Sequence, residues 1–245
     1  AQAFYRVALL QTAIGDSEDA KASYQSSIER FKKLTEKHPD RSDYFQQLGE
    51  AYAGLSNVLP EWSDAKNALD MSRGAYARAI ELDPEKAAYY LARGDIGMRL
   101  VDPSSLNDYE RAIALDSQNV QLRLRLSRVY RNNTFGSRDR RKAIEHAEKA
   151  LALDPSNPEC HLQLAAVLGK RTVTIDSNTR QTTESYSNAE QILDHYARAI
   201  ELAPRQAKGY RERAGFYVRT GDYQRAIADI DRVLELHPED RSALA

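Results

Sequence analysis

The chain has 245 residues, 42% of them apolar and 29% charged, and its 35 Lys and Arg against 36 Asp and Glu leave a net charge of −1. A chain so nearly neutral has no global field to recruit nucleic acid or an anionic membrane, so any charge-driven binding has to be local. No apolar run approaches the roughly 20 residues that span a bilayer, residues 1 to 20 lack a basic start followed by an apolar stretch, and lone Cys160 excludes an internal disulfide and suits a reducing compartment, with the cytoplasm as the expected setting.

The first element series is Phe4, Ala8, Gly15, Ala20 and Tyr24, after which Ile28, Phe31 and Leu34 extend one apolar stripe toward Pro39. Phe45, Leu48, Gly49 and Tyr52 open the next series, and Pro60 with Trp62 marks its helix junction. A nine-residue phrase then recurs: YARAIELDP at 76 to 84, YERAIALDS at 109 to 117, AEKALALDP at 147 to 155, YARAIELAP at 196 to 204 and IDRVLELHP at 230 to 238. Each phrase ends a helix, because its apolar residues share a face and, in four of the five, a closing proline cannot continue the backbone ladder. Between the third and fourth phrases, TVTIDSNTRQTTESYS at 172 to 187 is rich in Ser and Thr without an apolar period, which predicts a mobile loop; the following helix is expected to start at Ser187, with Glu190 in a capping box. The last full series runs from Ala207 to Pro238 with a Gly221-Asp222 turn, and residues 241 to 245 read as the start of a further, truncated helix, as in a fragment of a longer protein.

The closing positions 39, 84, 117, 155, 204 and 238 define six units, approximately 1–40, 41–85, 86–119, 120–156, 157–206 and 207–240. The spacing of Phe45, Leu48, Gly49 and Tyr52, followed in the last unit by Ala226, Ile230 and Pro238, resembles the tetratricopeptide repeat, and the last interval of 34 residues is that family's own. The resemblance implies an all-α, right-handed α-solenoid of about six helix-turn-helix units, a single array over 1–245 that serves as a protein-interaction scaffold and binds a peptide or protein segment in a concave groove. Against the family pattern, Pro39 falls seven residues late, about two helical turns, which lengthens the helix without rotating its face. In style, the long second helices are similar to repeat regions attached to bacterial Ser/Thr protein kinases. That alternative makes the chain a regulatory or substrate-docking arm of a kinase whose catalytic domain lies outside it.

Nothing in the chain supplies catalysis. No glycine-rich phosphate loop, His-Arg-Asp or Asp-Phe-Gly segment, Gly-x-Ser-x-Gly elbow or Cys-x-x-Cys pair occurs, so neither an enzyme nor a metal or other cofactor is expected. His38 and His237 precede closing prolines as helix-terminal residues, and Cys160-His161 occupies a packing slot. In the resembled family the first helix of each unit lines the groove. Chaperone-tail binders there use Lys-x-x-x-Asn, for which this chain has Gln46 and Glu50, then Leu91 and Asp95, offering no cation to an anionic terminus. Between Arg123 and Lys142, however, eight basic residues face one acid, Asp139. Arg125, Arg128 and Arg131 lie three apart, and Lys208 and Arg211 flank Tyr210 two units later, which makes these five the candidate partner-binding residues. Arginine's planar fork suits an acidic peptide; the other reading is a solvated face neutralised by Glu145, Glu148 and Asp154. A patch without interleaved aromatics does not point to nucleic acid.

Overall fold

Paired helices form wherever the apolar stripe is long enough to need covering, and three of the described pairs turn on a residue with a left-handed backbone. The computed structural model describes residues 1–132, 139–169, 171–175, 182–186 and 188–238, with the backbone alone at 171–175 and 182–185. These residues divide between two compact units, Ala1–Gln118 and Asn119–Ala245. The first contains α1 (Gln2–Ala13), α2 (Ser17–Lys37), α3 (Ser42–Val58), α4 (Trp62–Leu82), α5 (Ala87–Arg99) and α6 (Ser105–Leu115). The second contains α7 (Val120–Asn132), α8 (Arg140–Leu153), α9 (Pro158–Leu168), β1 (Arg171–Ile175), β2 (Thr182–Tyr186), α10 (Ala189–Leu202), α11 (Ala207–Thr220) and α12 (Tyr223–Leu236).

The fold is an all-α repeat of helix pairs. Second helix α2 runs for 21 residues where α8, α10 and α12 run for 14, so the extra length behind Tyr24 is helical. One turn design recurs. After α1, Gly15 at φ 84° donates to Thr12 and Asp16 donates to Gln11; after α11, Gly221 at φ 80° donates to Val218 and Asp222 donates to Tyr217. The aspartate then caps the next helix by accepting from the backbone N–H of Asp19 or Arg225. After α5 the same bonds run from Val101 to Met98 and from Asp102 to Gly97, but Val101 has no glycine's freedom at φ 57°.

The repeated tyrosines are core. Tyr24, Tyr76, Tyr109 and Tyr196 are all buried, and the rings of Tyr76 and Tyr109 lie so close to a first helix that only glycine fits beneath: a Cβ on Gly49 would stand 2.8 Å from Tyr76, and one on Gly94 would stand 2.9 Å from Tyr109. Ion pairs repeat as well. Arg93 on α5 grips Asp108 on α6 with two bonds of 2.8 and 2.6 Å, and Arg213 on α11 grips Asp229 on α12 with two of 2.8 and 2.7 Å.

The segment expected as a mobile loop differs. Arg171–Ile175 pairs antiparallel with Thr182–Tyr186, in register Arg171 with Tyr186 and Ile175 with Thr182. Thr, Val and Ile dominate the first strand, and β-branched side chains favour a pleated ribbon over an irregular loop. The hairpin is anchored at its end: the Tyr186 ring lies 5.1 Å from that of Phe216 on α11. Helix α10 starts at Ala189 with Asn188 at its N-cap position; Ser187, expected as the cap, lies outside the described residues, as do Arg138 and the truncated helix expected at 241 to 245.

Candidate functional site

The geometry of the second unit brings three of the five candidate cations together. Pro158 opens α9, and the Asn157 side chain caps it by accepting from the Glu159 N–H at 3.0 Å, which fixes Glu159 in the first turn where a negative charge is favoured. Arg128 of α7 donates Nη2–H to Glu159 Oε1, and Lys208 of α11 donates to both carboxylate oxygens, at 2.8 and 2.6 Å. Three successive first helices, α7, α9 and α11, thereby present charge to one surface. Arg131, one turn beyond Arg128, donates Nε–H to Asn132 Oδ1 at 3.2 Å. Nearby Glu212 of α11 is pushed above the usual carboxylate range by burial; Lys208, Arg131 and Arg128 pull it down, and Glu159 adds to the rise. Arg125 and Arg211 are exposed.

Of the acids expected to neutralise the basic run, Glu145 has its pKa lowered by Lys149 first and also by Lys142 of that run. Lys149 donates to Glu145 at 2.5 Å, and Ser156 donates to Asp154 at 2.8 Å. The carboxylate that does meet Arg128 and Lys208 is Glu159, which sequence reasoning missed. Its one local signal is the Asn-Pro-Glu start of α9, which holds a carboxylate at a helix N-terminus.

The histidines are also arranged by tertiary packing. His161 of α9 and His195 of α10 place their Nδ1 atoms 3.1 Å apart, and His161 Nε2 lies 3.2 Å from the Pro155 carbonyl oxygen. That carbonyl only accepts, so His161 carries its proton on Nε2 and its bare Nδ1 accepts from the Nδ1–H of His195. Burial, then the neighbouring His161, lowers the His195 pKa against a smaller pull from Asp194. Cys160 is buried, which pushes its thiol up to about 11 and leaves little thiolate at neutral pH. Among the described residues, no group of three or more His, Cys, Asp or Glu side chains is placed to hold a metal ion, and no helix is long and apolar enough to cross a membrane.

Comparison with known proteins agrees with this architecture. Models of the tetratricopeptide repeat match residues 2–33 and 191–244. No curated protein matches the sequence. Among solved structures, BtubC (BKLC) from P. vanneervenii is similar at 17% identity, TM-score 0.65, covering 91% of each chain. PilW, a type IV pilus biogenesis factor, is similar at 14% identity and TM-score 0.63, covering 99% of this chain and 96% of its own. YrrB, described as a TPR protein with an unusual peptide-binding site, is similar at 19% identity and TM-score 0.54, covering 89% of this chain and 97% of its own. Segments near both ends of the chain therefore match tetratricopeptide repeats, and helix pairs lie between them.

Proposed function

We propose that the chain is a non-catalytic protein-interaction scaffold whose second unit receives an acidic segment of a partner protein across the first helices α7, α9 and α11. The observation that carries this reading is the convergence of Arg128 and Lys208 on the single carboxylate of Glu159. Arg128 and Lys208 share that one carboxylate, and half-buried Glu212 carries the other negative charge beside them; a partner carboxylate gives the two cations a further acceptor by charge-assisted hydrogen bonds. The peptide-binding site of YrrB, a protein of similar fold, lends support from outside the chain.

The experiment is a peptide-array screen at two salt concentrations, followed by kinetics on the hits. Acidic peptides should be preferred and should weaken with salt, and replacing Arg128 together with Arg211 by Ala should raise the off-rate more than it lowers the on-rate. Glu159→Gln should release Arg128 and Lys208 and tighten acidic-peptide binding about five-fold, the equivalent of about 1 kcal/mol for a partly exposed pair. Binding that is indifferent to charge, or weakened by Glu159→Gln, would make the patch a self-neutralised solvated face. The purified chain should show neither phosphoryl transfer nor hydrolysis, and turnover lost on replacing His146 or His161 would sink the scaffold reading.

A further inference from the structure

Beside the cationic surface, the second unit encloses a cavity of about 300 Å³ whose lining divides by chemistry. Arg131 of α7, Arg140 of α8 and Arg219 of α11 supply three guanidinium groups, Tyr186, Tyr196 and Phe216 supply three rings, and among the described residues no acidic side chain belongs to the lining. The rings touch in sequence: Tyr186 to Phe216 at 5.1 Å and Tyr196 to Phe216 at 6.2 Å, both tilted. Arg219 lies over the Phe216 face, 5.8 Å from its centroid.

The three guanidinium groups are not equally engaged. Arg140 donates Nε–H to the Val167 carbonyl at 3.1 Å and Nη2–H to that of Leu168, so it is fixed in place by the end of α9. Among the described residues Arg131 donates Nε–H to Asn132 and leaves its Nη groups, and exposed Arg219 gives one hydrogen bond to Tyr196, whose hydroxyl burial pushes up to about 12. Donors on Arg131 and Arg219 therefore remain for a ligand. Glu212, which acts on both Arg131 and Tyr196, offsets only part of the three like charges around this half-enclosed space, so a further anion is favoured there, and guanidinium forks match a carboxylate well. The rings prefer a flat apolar partner in an offset or edge contact. At about 300 Å³ the cavity lies at the lower end of ligand pockets, large enough for one side-chain-sized group rather than a whole segment.

We propose that this cavity is a specificity pocket for an aromatic side chain with an adjacent carboxylate on the bound partner segment, the ring resting on Tyr186, Tyr196 and Phe216 and the carboxylate held by Arg131 and Arg219. The identity of the occupant rests on the scaffold reading; the chemistry of the pocket does not. Without such a pocket, acidic peptides bind by charge density alone. With it, an aromatic residue next to an acid is selected from among them.

The test uses the full chain and a small probe, so that it does not depend on a partner being known. Ligand-observed NMR titration with 3-phenylpropionate, 3-phenylpropanol and propionate should show the aromatic acid bound about ten-fold or more tightly than either the aromatic alcohol or the acid lacking a ring. Arg131→Gln with Arg219→Gln, both on exposed side chains, should erase the preference for the acid over the alcohol; should that variant fail to fold, Tyr186→Leu should erase the preference over propionate. Equal binding of acid and alcohol, or no binding of 3-phenylpropionate, overturns the pocket and leaves the acidic-segment reading to stand on its own array data. A chain that binds the probe with these preferences while acidic peptides fail on the array keeps the pocket and removes that reading.

Discussion

Val101 holds φ at 57°, in the turn position where Gly15 and Gly221 stand after α1 and α11. For a β-branched residue the left-handed region costs about 1–2 kcal/mol, and the side chain is exposed, so little packing offsets it. Val101→Gly should therefore raise stability by about 1 kcal/mol, less the backbone entropy that glycine adds to the unfolded chain, and a denaturant midpoint that fails to rise would show that the turn relaxes around valine. The histidine pair makes a second prediction at this scale. Because the His195 pKa is lowered in the fold, the unfolded chain binds more protons below about pH 6.5. Stability from this pair is complete above that pH and declines as pH falls from 6.5 toward the lower folded value. Melting temperatures measured between pH 7.5 and 5.5 should fall less steeply for His195→Gln; parallel slopes would place the acid sensitivity elsewhere.

Pairs of elements are tied by the same device in both units. Arg213–Asp229 joins α11 to α12 with the carboxylate side chain only 7% exposed and the guanidinium 22%, as Arg93–Asp108 joins α5 to α6. Removing one partner strands the other in a partly dry site, so Asp229→Ala should destabilise by about 3 kcal/mol, the low end for a buried pair because Arg213 keeps some water. Replacing both by residues of similar volume should recover a large part of that loss. Chemical denaturation of the single and double variants checks this, and additive losses would mean that the pair contributes no coupling. The hairpin acts at the same scale. Its backbone pairing is local, but what it contributes is Tyr186, carried onto Phe216 and into the wall of the cavity.

Across the whole molecule the near-zero charge conceals an asymmetry. Residues 1–118 carry 14 basic and 19 acidic side chains, a net −5, and residues 119–245 carry 21 and 17, a net +4. The charge-driven binding of an acidic segment proposed above is assigned to the second unit for that reason, as well as for the placement of Arg128 and Lys208. Repeat packing also makes each helix pair depend on its neighbour. Ile200 of α10 packs where Gly209 of α11 leaves room, its Cγ1 2.8 Å from the position a Cβ would take, and Tyr196 meets Phe216. Truncation before Ala207 removes both partners. The shortened chain should melt earlier and self-associate, as read by light scattering on a sizing column, and a monomer with unchanged melting would contradict nearest-neighbour stacking.

The sequence by itself determined the helix pairs and their turns. The closing prolines, the Gly-Asp pairs at 15–16 and 221–222 and the alanine-rich phrases act through residues a few positions apart, where φ, a missing N–H and the helical period are decided. The basic run on α7 was legible for the same reason. Tertiary structure alone decided what those residues meet: Glu159 lies 31 residues from Arg128 and 49 from Lys208, and His161 lies 34 from His195. It also turned a Ser/Thr-rich stretch into a hairpin, since β-branched residues form strands only when a partner strand and a docking surface are supplied. Such encounters depend on how one helix is rotated and set against the next. Each residue along a helix turns by about 100°, so a shift of one position replaces every side chain at the contact, and composition and spacing within one helix do not fix that angle.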